Sequence, residues 1–449
     1  MARGMAVTHR KLLAVGLIGS SIEWYDFFLY STAAALAFPK IFFPNVTPLT
    51  GTLLAFSTFW AGFLARPVGG VIAGHFGDRY GRKPVVTFCL WLMTGSTFLI
   101  GCLPGAAAVG ALAPILLVTL RFIQGLACGG QWGGIVLLLT ESTGPKRRGF
   151  AGTFGLMSVP FGSILGTLVF LAATATLSNE QFLSWGWRIP FFCSAVMAPV
   201  VIYIQRKVED TPEFRALTEQ ADAKVTQRRI AEAPLTEVFK SSWRRILMGA
   251  GLLAGTNALF YISTAGLLSY GTVELGMSRD GLLICSLLSS VATFGFICWS
   301  GHLSDRFGRR MPIVLGGLGV LIWAFPYFWL INTASLVLVF FSVTIAATFQ
   351  SILYGPLAAY LAELFAPNVR YSGVSMAYQL AAITISGGTP ALTTFLIAST
   401  GSTVLVSVYI ALSAAVTVLC AWKLPETNPA SVRADPTAVP GTQLTSAAS

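Results

Sequence analysis

A short basic motif that occurs twice constrains the fold more than any other feature of this chain. The first copy, residues 74–83, reads GHFGDRYGRK, and the second, residues 301–310, reads GHLSDRFGRR. The copies are 227 positions apart, and Gly, His, Asp, Arg, Gly and Arg recur in register. Each copy lies between two long apolar runs, where one membrane helix would end and the next begin. Two copies in register predict an internally duplicated membrane protein.

The composition agrees with this prediction. Hydrophobic residues make up 55% of the chain and charged residues only 10%, against roughly 25% charged residues in a soluble domain. Twelve apolar stretches are each long enough for a spanning helix, which needs about 20 residues. They cover residues 12–38, 52–74, 84–104, 112–140, 150–177, 187–205, 246–273, 281–303, 311–331, 335–361, 371–398 and 402–422.

The polar stretches divide the chain into four regions. We predict an N-terminal six-helix bundle over 1–205, a cytoplasmic linker over 206–245 and a C-terminal six-helix bundle over 246–423. The remaining residues, 424–449, are rich in Ala, Ser, Thr and Pro and predict a disordered cytoplasmic tail.

The net charge of +11 indicates membrane topology and not a nucleic-acid partner. In an alternating twelve-span topology, all but five of the 29 Lys and Arg residues fall on one side of the membrane. The rule that basic loops stay in the cytoplasm then places both termini and the linker there. The five exceptions are Lys40, Arg66, Arg121, Arg188 and Arg279.

Further motifs give the chain a family resemblance. With the duplicated motif, they resemble the metabolite:proton symporter branch of the major facilitator superfamily, which includes carriers of shikimate, α-ketoglutarate, citrate and proline or betaine. The resemblance implies an all-α membrane protein with twelve transmembrane helices in two six-helix bundles, which open a midplane site alternately to either side. The motifs are EWYDFFLY (23–30), RPVGG (66–70), RFIQG (121–125), GGQWGG (129–134), GWRIPF (186–191) and EDTPEF (209–214).

Two acids and one arginine are predicted to lie deep in the membrane. Glu23 and Asp26 are three residues apart on one helical face, roughly 18–22 Å from Lys11 at about 1.5 Å per residue. Arg121 is about 14 Å from the outer end of its span. We predict that Arg121 binds an anionic substrate and that Asp26 or Glu23 carries a coupling proton. A static ion pair between Arg121 and Asp26 is the open alternative.

Polar side chains within the spans are predicted to complete the substrate site. Where the sequence has Gln131, the carriers that it resembles commonly have a glutamate, so the number of coupled protons stays open. Hydrogen bonding between helices is the alternative role for the uncharged members of this set. The predicted substrate-binding residues are Arg121, Gln124, Gln131, Tyr25, Asn257, Tyr261, Gln350, Tyr354 and Tyr378.

The duplicated motifs are predicted to form a cytoplasmic gate. A carboxylate at the end of one helix can meet the positive N-terminal end of another, and the arginines can pair with acids on neighbouring spans. Glu141 precedes Arg148 by seven residues, as Glu363 precedes Arg370. The predicted gating residues are Asp78, Arg79, Arg82, Glu141, Arg148, Asp305, Arg306, Arg309, Glu363 and Arg370.

These features favour a proton-driven symporter that imports a small organic acid across a bacterial inner membrane, acting as a monomer. We expect no cofactor, no metal and no nucleic-acid partner, because neither a nucleotide-binding loop nor a metal-ligand motif occurs in the sequence. Uptake of a zwitterionic osmolyte such as proline or betaine is the first alternative. A sugar porter and a membrane receptor or enzyme without transport activity are weaker alternatives.

Overall fold

Twelve spanning helices form the fold. The computed structural model describes residues 2–80, 82–129, 148–199, 201–202, 235–365 and 370–428, and for some residues within helices only the backbone. The N-terminal spans are α1 (Ala2–Leu36), α2 (Pro48–Tyr80), α3 (Arg82–Cys102), α4 (Leu112–Cys128), α5 (Arg148–Leu156 and Ser158–Thr176) and α6 (from Ile189–Phe192 and Cys193–Met197). The C-terminal spans are α7 (Leu235–Leu252, Ala254–Tyr261 and Leu267–Val273), α8 (Arg279–Phe307), α9 (Arg310–Ile331), α10 (Leu336–Tyr354 and Leu357–Leu364), α11 (Arg370–Ala381 and Thr389–Thr400) and α12 (Val404–Lys423). Short helices at Phe38–Phe42, Ala106–Val109 and Asn179–Ser184 lie between spans.

The helices pack as two bundles. In the first, α2 packs on α4 and α1 on α5; in the second, α9 packs on α10 and α12, and α7 on α11. The bundles meet mainly through α5 against α8, α2 against α11 and α1 against α7. Many side chains on the outward faces are large, apolar and exposed, as expected of a surface that contacts lipid.

Two breaks in helical geometry lie in the second bundle. Residues Ile262–Gly266 of α7 and Ala382–Ser386 of α11 each form a π-helical turn. The amide of Asn257 bridges the two helices by donating to the Ser386 hydroxyl at 2.9 Å. Such turns are frequent at functional sites because they redirect side chains within an otherwise regular helix.

Glycines bring α2 and α4 into backbone contact. A methyl group at Gly125 would collide with the carbonyl oxygen of Gly62, and one at Gly129 would collide with that of Arg66. Gly62 also makes room for the side chain of Arg121, whose Nε would lie 2.8 Å from an added Cβ. The small residues therefore let two arginine-bearing helices approach closely.

Both basic motifs begin inside helices, as the predicted placement of Asp78 and Asp305 at helix ends requires. Residues 74–80 continue α2 and residues 301–307 continue α8, beyond the apolar stretches that end at residues 74 and 303. A helix satisfies its own backbone hydrogen bonds as it leaves the bilayer, while its charged side chains reach water. The turn after α8 occurs at Gly308, whose φ of 92° is a conformation that glycine adopts easily.

The predicted linker and tail are also shorter than expected. The last part of the predicted linker, from Leu235 onward, is helical and belongs to α7. At the C-terminus, residues 424–428 are hydrogen-bonded to α8, α9 and α10, so the predicted disorder does not hold for them. Residues 203–234 and 429–449, which make up most of both regions, lie outside the described residues.

The close contact between α2 and α4 makes a testable prediction. We expect Gly125→Ala to lower the stability of the detergent-solubilised protein by about 1–3 kcal/mol, because its methyl group would meet a backbone carbonyl that cannot rotate away. Gly95→Ala on α3 is the matched control, since nothing lies within 4 Å of its added Cβ. Thermal unfolding of both variants checks this, and equal melting temperatures would contradict the packing described.

Candidate functional site

Four charged side chains are buried together inside the first bundle. Glu23 and Asp26 on α1, Arg66 on α2 and Arg121 on α4 surround a pocket with about 280 Å³ of empty space. Each is at most 5% exposed. Charged groups in an apolar bundle are costly, and those that persist usually serve a partner, an ion or a substrate. We call these four residues the charge cluster.

Arg121 is held by uncharged groups. It donates to the side-chain oxygen of Gln124 at 3.0 Å, and Gln124 donates to the Thr97 hydroxyl at 2.6 Å. The guanidinium carbon lies 4.2 Å from the ring centroid of Tyr30, and Nε has no hydrogen-bond partner in the part of the chain that the structure describes. Arg121 therefore keeps donor capacity that this structure does not use.

The two acids differ in their contacts. Glu23 accepts a hydrogen bond from the thiol of Cys128 at 2.8 Å. Neither carboxylate oxygen of Asp26 has a hydrogen-bond partner among the described residues. Asp26 and Arg121 border the same pocket, yet they form no ion pair, since the ion pairs between described residues involve other side chains. A static Arg121–Asp26 pair is thus not the arrangement in this structure.

Arg66 is the member of the cluster that the sequence analysis missed. It was counted with the five basic residues outside the cytoplasmic loops, although its position inside the apolar stretch 52–74 already placed it within the membrane. Its guanidinium carbon lies 4.3 Å from the centroid of the Phe63 ring. The cluster therefore contains two arginines for two acids.

A larger cavity of about 1070 Å³ lies between the bundles. It is lined by side chains of α1, α5, α7, α8, α10 and α11, and none of the lining residues is Asp, Glu, Lys, Arg or His. Hydroxyl and amide groups supply its polarity. They belong to Ser31, Thr32, Ser163, Thr167, Thr256, Asn257, Tyr261, Ser263, Thr264, Ser286, Ser289, Ser290, Thr293, Gln350, Ser351, Tyr354 and Tyr378.

The structure divides the predicted substrate residues between these two sites. Asn257, Tyr261, Gln350, Tyr354 and Tyr378 line the central cavity, where the second-bundle residues were predicted to lie together. The side-chain nitrogen of Gln350 donates to the backbone carbonyl of Thr256 at 3.1 Å, which fixes its position.

Of the remaining predicted substrate residues, those that the structure describes do not line the cavity. Arg121 and Gln124 belong to the pocket of the charge cluster. The hydroxyl of Tyr25 donates to the carbonyl of Pro190 at 2.9 Å, so Tyr25 holds α1 against α6, and its substrate role stays a prediction. Gln131 lies outside the described residues.

Aromatic rings separate the cluster from the cavity. Phe27 borders the pocket of the cluster, and Tyr261 borders the cavity. The rings of these two residues are 5.4 Å apart, and that of Phe63 is 5.7 Å from Tyr261, while Phe59 packs against all three. We call Phe27, Phe59, Phe63 and Tyr261 the aromatic wall. A single ring layer separates the buried charges from the space between the bundles.

At one end of the molecule, a carboxylate of the second bundle caps a helix of the first. The backbone N–H groups of Gly149 and Phe150, at the start of α5, donate to the two carboxylate oxygens of Asp305 on α8, both at 2.9 Å. The negative charge also meets the positive end of the α5 dipole. We call this contact the Asp305 latch, and it joins the bundles at the end where the basic motif lies.

Arg309 and two acids support the latch. Arg309 Nη1 lies 2.6 Å from Asp305 Oδ1, and Nη2 lies 3.3 Å from Glu363 Oε1. Burial lowers the pKa of Arg309, but the Glu363 and Asp305 carboxylates raise it by more, so its pKa lies above the usual value and it stays charged. Glu426, after α12, accepts from the backbone N–H groups of Arg309 and Arg310 at 2.8 and 2.9 Å, which caps α9.

Other contacts join the bundles away from the latch. The Thr174 hydroxyl at the opposite end of α5 donates to Asp280 of α8 at 2.7 Å. Between the two ends, Ser163 and Ser290 are hydrogen-bonded at 3.0 Å. Hydrogen bonds join α5 to α8 at both ends. Opening either end of the cavity therefore requires breaking hydrogen bonds between these two helices.

The other predicted gating residues are placed only in part. Arg306 is exposed and stacks on Phe307 at 5.3 Å, and Arg370 donates to the Phe365 carbonyl at 3.4 Å. Glu141 lies outside the described residues, and only the backbone is described for Asp78, Arg79, Arg82 and Arg148. Side-chain contacts of the predicted gating residues are therefore described for the second copy of the motif, and their gating role stays a prediction.

Comparisons with known proteins agree with this architecture. The sequence profile of the family described as "Sugar (and other) transporter" matches residues 12–433. The inner membrane metabolite transport protein YhjE of Escherichia coli (strain K12) is 37% identical over 382 residues, which are 84% of this chain and 85% of that protein. The shikimate transporter of the same strain is 38% identical over 393 residues, 86% of this chain and 87% of that protein. The proline/betaine transporter of Salmonella typhimurium is 31% identical over 421 residues, 93% of this chain and 84% of that protein.

Solved structures share the fold. The proton:xylose symporter XylE bound to 6-bromo-6-deoxy-D-glucose superposes with a TM-score of 0.72 at 18% identity, covering 94% of this chain and 97% of that one. A partially occluded inward open conformation of XylE from E. coli gives a TM-score of 0.70 at 19% identity, covering 93% and 98%. At this level of identity the likeness concerns the fold alone.

The Asp305 latch makes a prediction about opening. We expect Asp305→Asn to weaken two charge-assisted hydrogen bonds and thereby favour opening at this end by roughly tenfold or more. The measurement is the labelling rate of a cysteine placed at the cavity position Thr293, in a cysteine-free background, by an impermeant maleimide. The labelling rate should rise when the maleimide is added to one side of the membrane and not to the other. Glu274→Gln, a substitution of an exposed residue, is the control and should leave the rate unchanged. Equal rates for Asp305→Asn and the parent would contradict the latch.

Proposed function

Since the chain belongs to the sugar (and other) transporter family of the major facilitator superfamily, we propose that it imports a small organic acid together with a proton by alternating access. One observation carries this proposal: two acids and two arginines are buried beside a hydroxyl-rich cavity that contains no charged side chain. A carrier that moves an anion together with a proton needs an acid for the proton and a cation for the anion, and the cluster contains both.

The cavity supports a hydroxylated acid as the substrate. Its hydroxyl and amide groups can donate to and accept from the hydroxyls of a small polar molecule, and its volume suits a small ligand. One relative is named a shikimate transporter. We therefore propose a small carboxylic acid with several hydroxyl groups, of which shikimate is the first to test.

The cluster supports the proton and carboxylate roles. Arg121 has an unused Nε donor, and a guanidinium can bind a carboxylate through two parallel hydrogen bonds. Asp26 has two unpartnered oxygens, which favours it over Glu23 as the proton carrier because Glu23 is bonded to Cys128. For Arg121 to reach a substrate, a ring of the aromatic wall must move, and we propose that substrate binding moves Phe27.

The latch supports alternating access. We propose that the end with the Asp305 latch faces the cytoplasm of a bacterial cell, since basic residues gather there. Breaking the latch then opens the cavity inward, and parting α5 from α8 at Thr174 and Asp280 opens it outward. The protein acts on its small-molecule substrate and protons within the membrane, as a monomer without a cofactor.

A second candidate is uptake of a zwitterionic osmolyte. Trp24, Phe28 and Phe260 line the same cavity, and the Trp24 and Phe260 rings meet edge to face with centroids 5.8 Å apart. Aromatic faces attract quaternary ammonium groups. Relatives named proline/betaine transporters agree with this candidate.

Uptake into proteoliposomes under an inward proton gradient tests the proposal. The panel holds shikimate, α-ketoglutarate, citrate, proline, glycine betaine and xylose, each with and without an uncoupler. Uncoupler-sensitive accumulation of one carboxylic acid supports the proposal. Accumulation of proline or betaine alone favours the osmolyte candidate, and accumulation of xylose alone overturns both.

Arg121 provides the matching mutational prediction. We expect Arg121→Lys to reduce uptake of the acid at least tenfold, because an ammonium group cannot form the two parallel bonds of a guanidinium. The exposed Arg244→Lys is the control and should transport like the parent protein. Uptake is compared at equal amounts of protein in the membrane, and normal uptake by Arg121→Lys would contradict the binding role.

A further inference from the structure

The distribution of charge within the membrane limits what the carrier can move. Among the described residues that line the central cavity, none is acidic or basic, so these residues cannot neutralise a charged substrate. The charge cluster, across the aromatic wall, contains two acids and two arginines. Any charge that a substrate brings into the closed carrier must therefore be balanced by this cluster.

The cluster can take only a few charge states. With both acids ionised its net charge is zero, because the arginines stay protonated. Each proton that an acid binds adds one positive charge. An unpaired charge buried in a medium of low polarity is costly, whereas a buried charge balanced by an opposite charge costs much less. The cluster is thus neutral when both acids are ionised. Each proton that an acid then binds lets the cluster balance one substrate carboxylate.

We propose that one proton enters the cluster for each carboxylate of the bound substrate, so that transport of mono- and dicarboxylates moves no net charge. This proposal rests on the proposed function. Asp26 takes the first proton, since neither of its oxygens has a partner. Glu23 takes the second, on the carboxylate oxygen that does not accept from Cys128.

Among the described residues, no further acid or base lies around Asp26 that would change the net charge of the cluster. The other charged groups that face the pocket are Glu23 of α1, Arg66 of α2 and Arg121 of α4. The remaining titratable neighbours carry weakly acidic thiols and phenols, which stay neutral at physiological pH. They are Tyr30 of α1, Cys89 of α3, Cys128 of α4, Tyr261 of α7 and Tyr378 of α11.

Arg66 extends the cluster toward the cavity. Its guanidinium stacks on one side of Phe63, 4.3 Å from the ring centroid, and Tyr261 packs 5.7 Å from the same ring. Tyr261 in turn lines the cavity. A positive charge thus lies one aromatic ring from the substrate space, where it can act on a carboxylate before the wall opens.

Imposing the two parts of the proton-motive force separately tests the proposal. Proteoliposomes containing the full chain receive radiolabelled shikimate, a monocarboxylate, or α-ketoglutarate, a dicarboxylate. A potassium gradient with valinomycin sets an inside-negative potential at equal pH, and a pH gradient is imposed with the potential clamped to zero. Protein-free liposomes give the background.

We expect the pH gradient alone to drive accumulation of a transported acid, by about tenfold per pH unit for one proton and about 100-fold for two. The potential alone should have no effect. If one net positive charge moved instead, 100 mV would drive about 50-fold accumulation, since it acts with about 2.3 kcal/mol per charge.

The outcomes separate the two proposals. Accumulation of either acid driven by the potential alone overturns charge balance while leaving proton-coupled acid import intact. The absence of accumulation of both acids under a pH gradient overturns the proposed function, and this proposal with it. Equal pH dependence for the one-carboxylate and two-carboxylate acids overturns the rule of one proton per carboxylate.

Discussion

The buried charge cluster is the feature on which the rest of the structure depends. Four ionisable groups in an apolar bundle are stable only if each is balanced, and α2 and α4 must approach closely to bring the arginines beside the acids of α1. The glycines at the α2–α4 contact allow this approach. The charges thereby explain why small residues occupy that contact, and why the substrate cavity itself can remain uncharged.

The buried charges and the uncharged hydrogen-bonding groups lie in different bundles of this molecule. The first bundle holds the charges, and the second supplies an uncharged hydrogen-bonding surface built around two π-helical turns. The two bundles meet through α5 and α8, which are bonded at both ends. In the proposed mechanism, the first bundle changes its charge state while the second binds the substrate, and the contacts between α5 and α8 determine which end opens.

The sequence predicted much of the fold because the physics of the bilayer leaves few choices. Apolar stretches of spanning length and the repeated motif gave the twelve helices and the two bundles, and the family and the solved structures confirm them. The helix dipole predicted that the Asp305 carboxylate meets the N-terminal end of another helix, and the structure shows that this helix is α5. Helix ends were less predictable, since residues 74–80, 301–307 and the segment from Leu235 are polar yet helical. Arg66 was missed because, in a sequence, a basic residue inside a span cannot be distinguished from one near the end of the span.

The proposed transport mechanism requires a buried acid that takes up a proton when an acidic substrate binds. Infrared difference spectroscopy can observe this directly, because a protonated carboxyl group has a carbonyl stretch that a carboxylate lacks. Adding shikimate to the purified protein should produce such a band, and Asp26→Asn should remove it while Glu274→Gln keeps it. Shikimate binding without a carboxyl band, or a band that persists unchanged in Asp26→Asn, would contradict the assignment of Asp26 as the proton carrier.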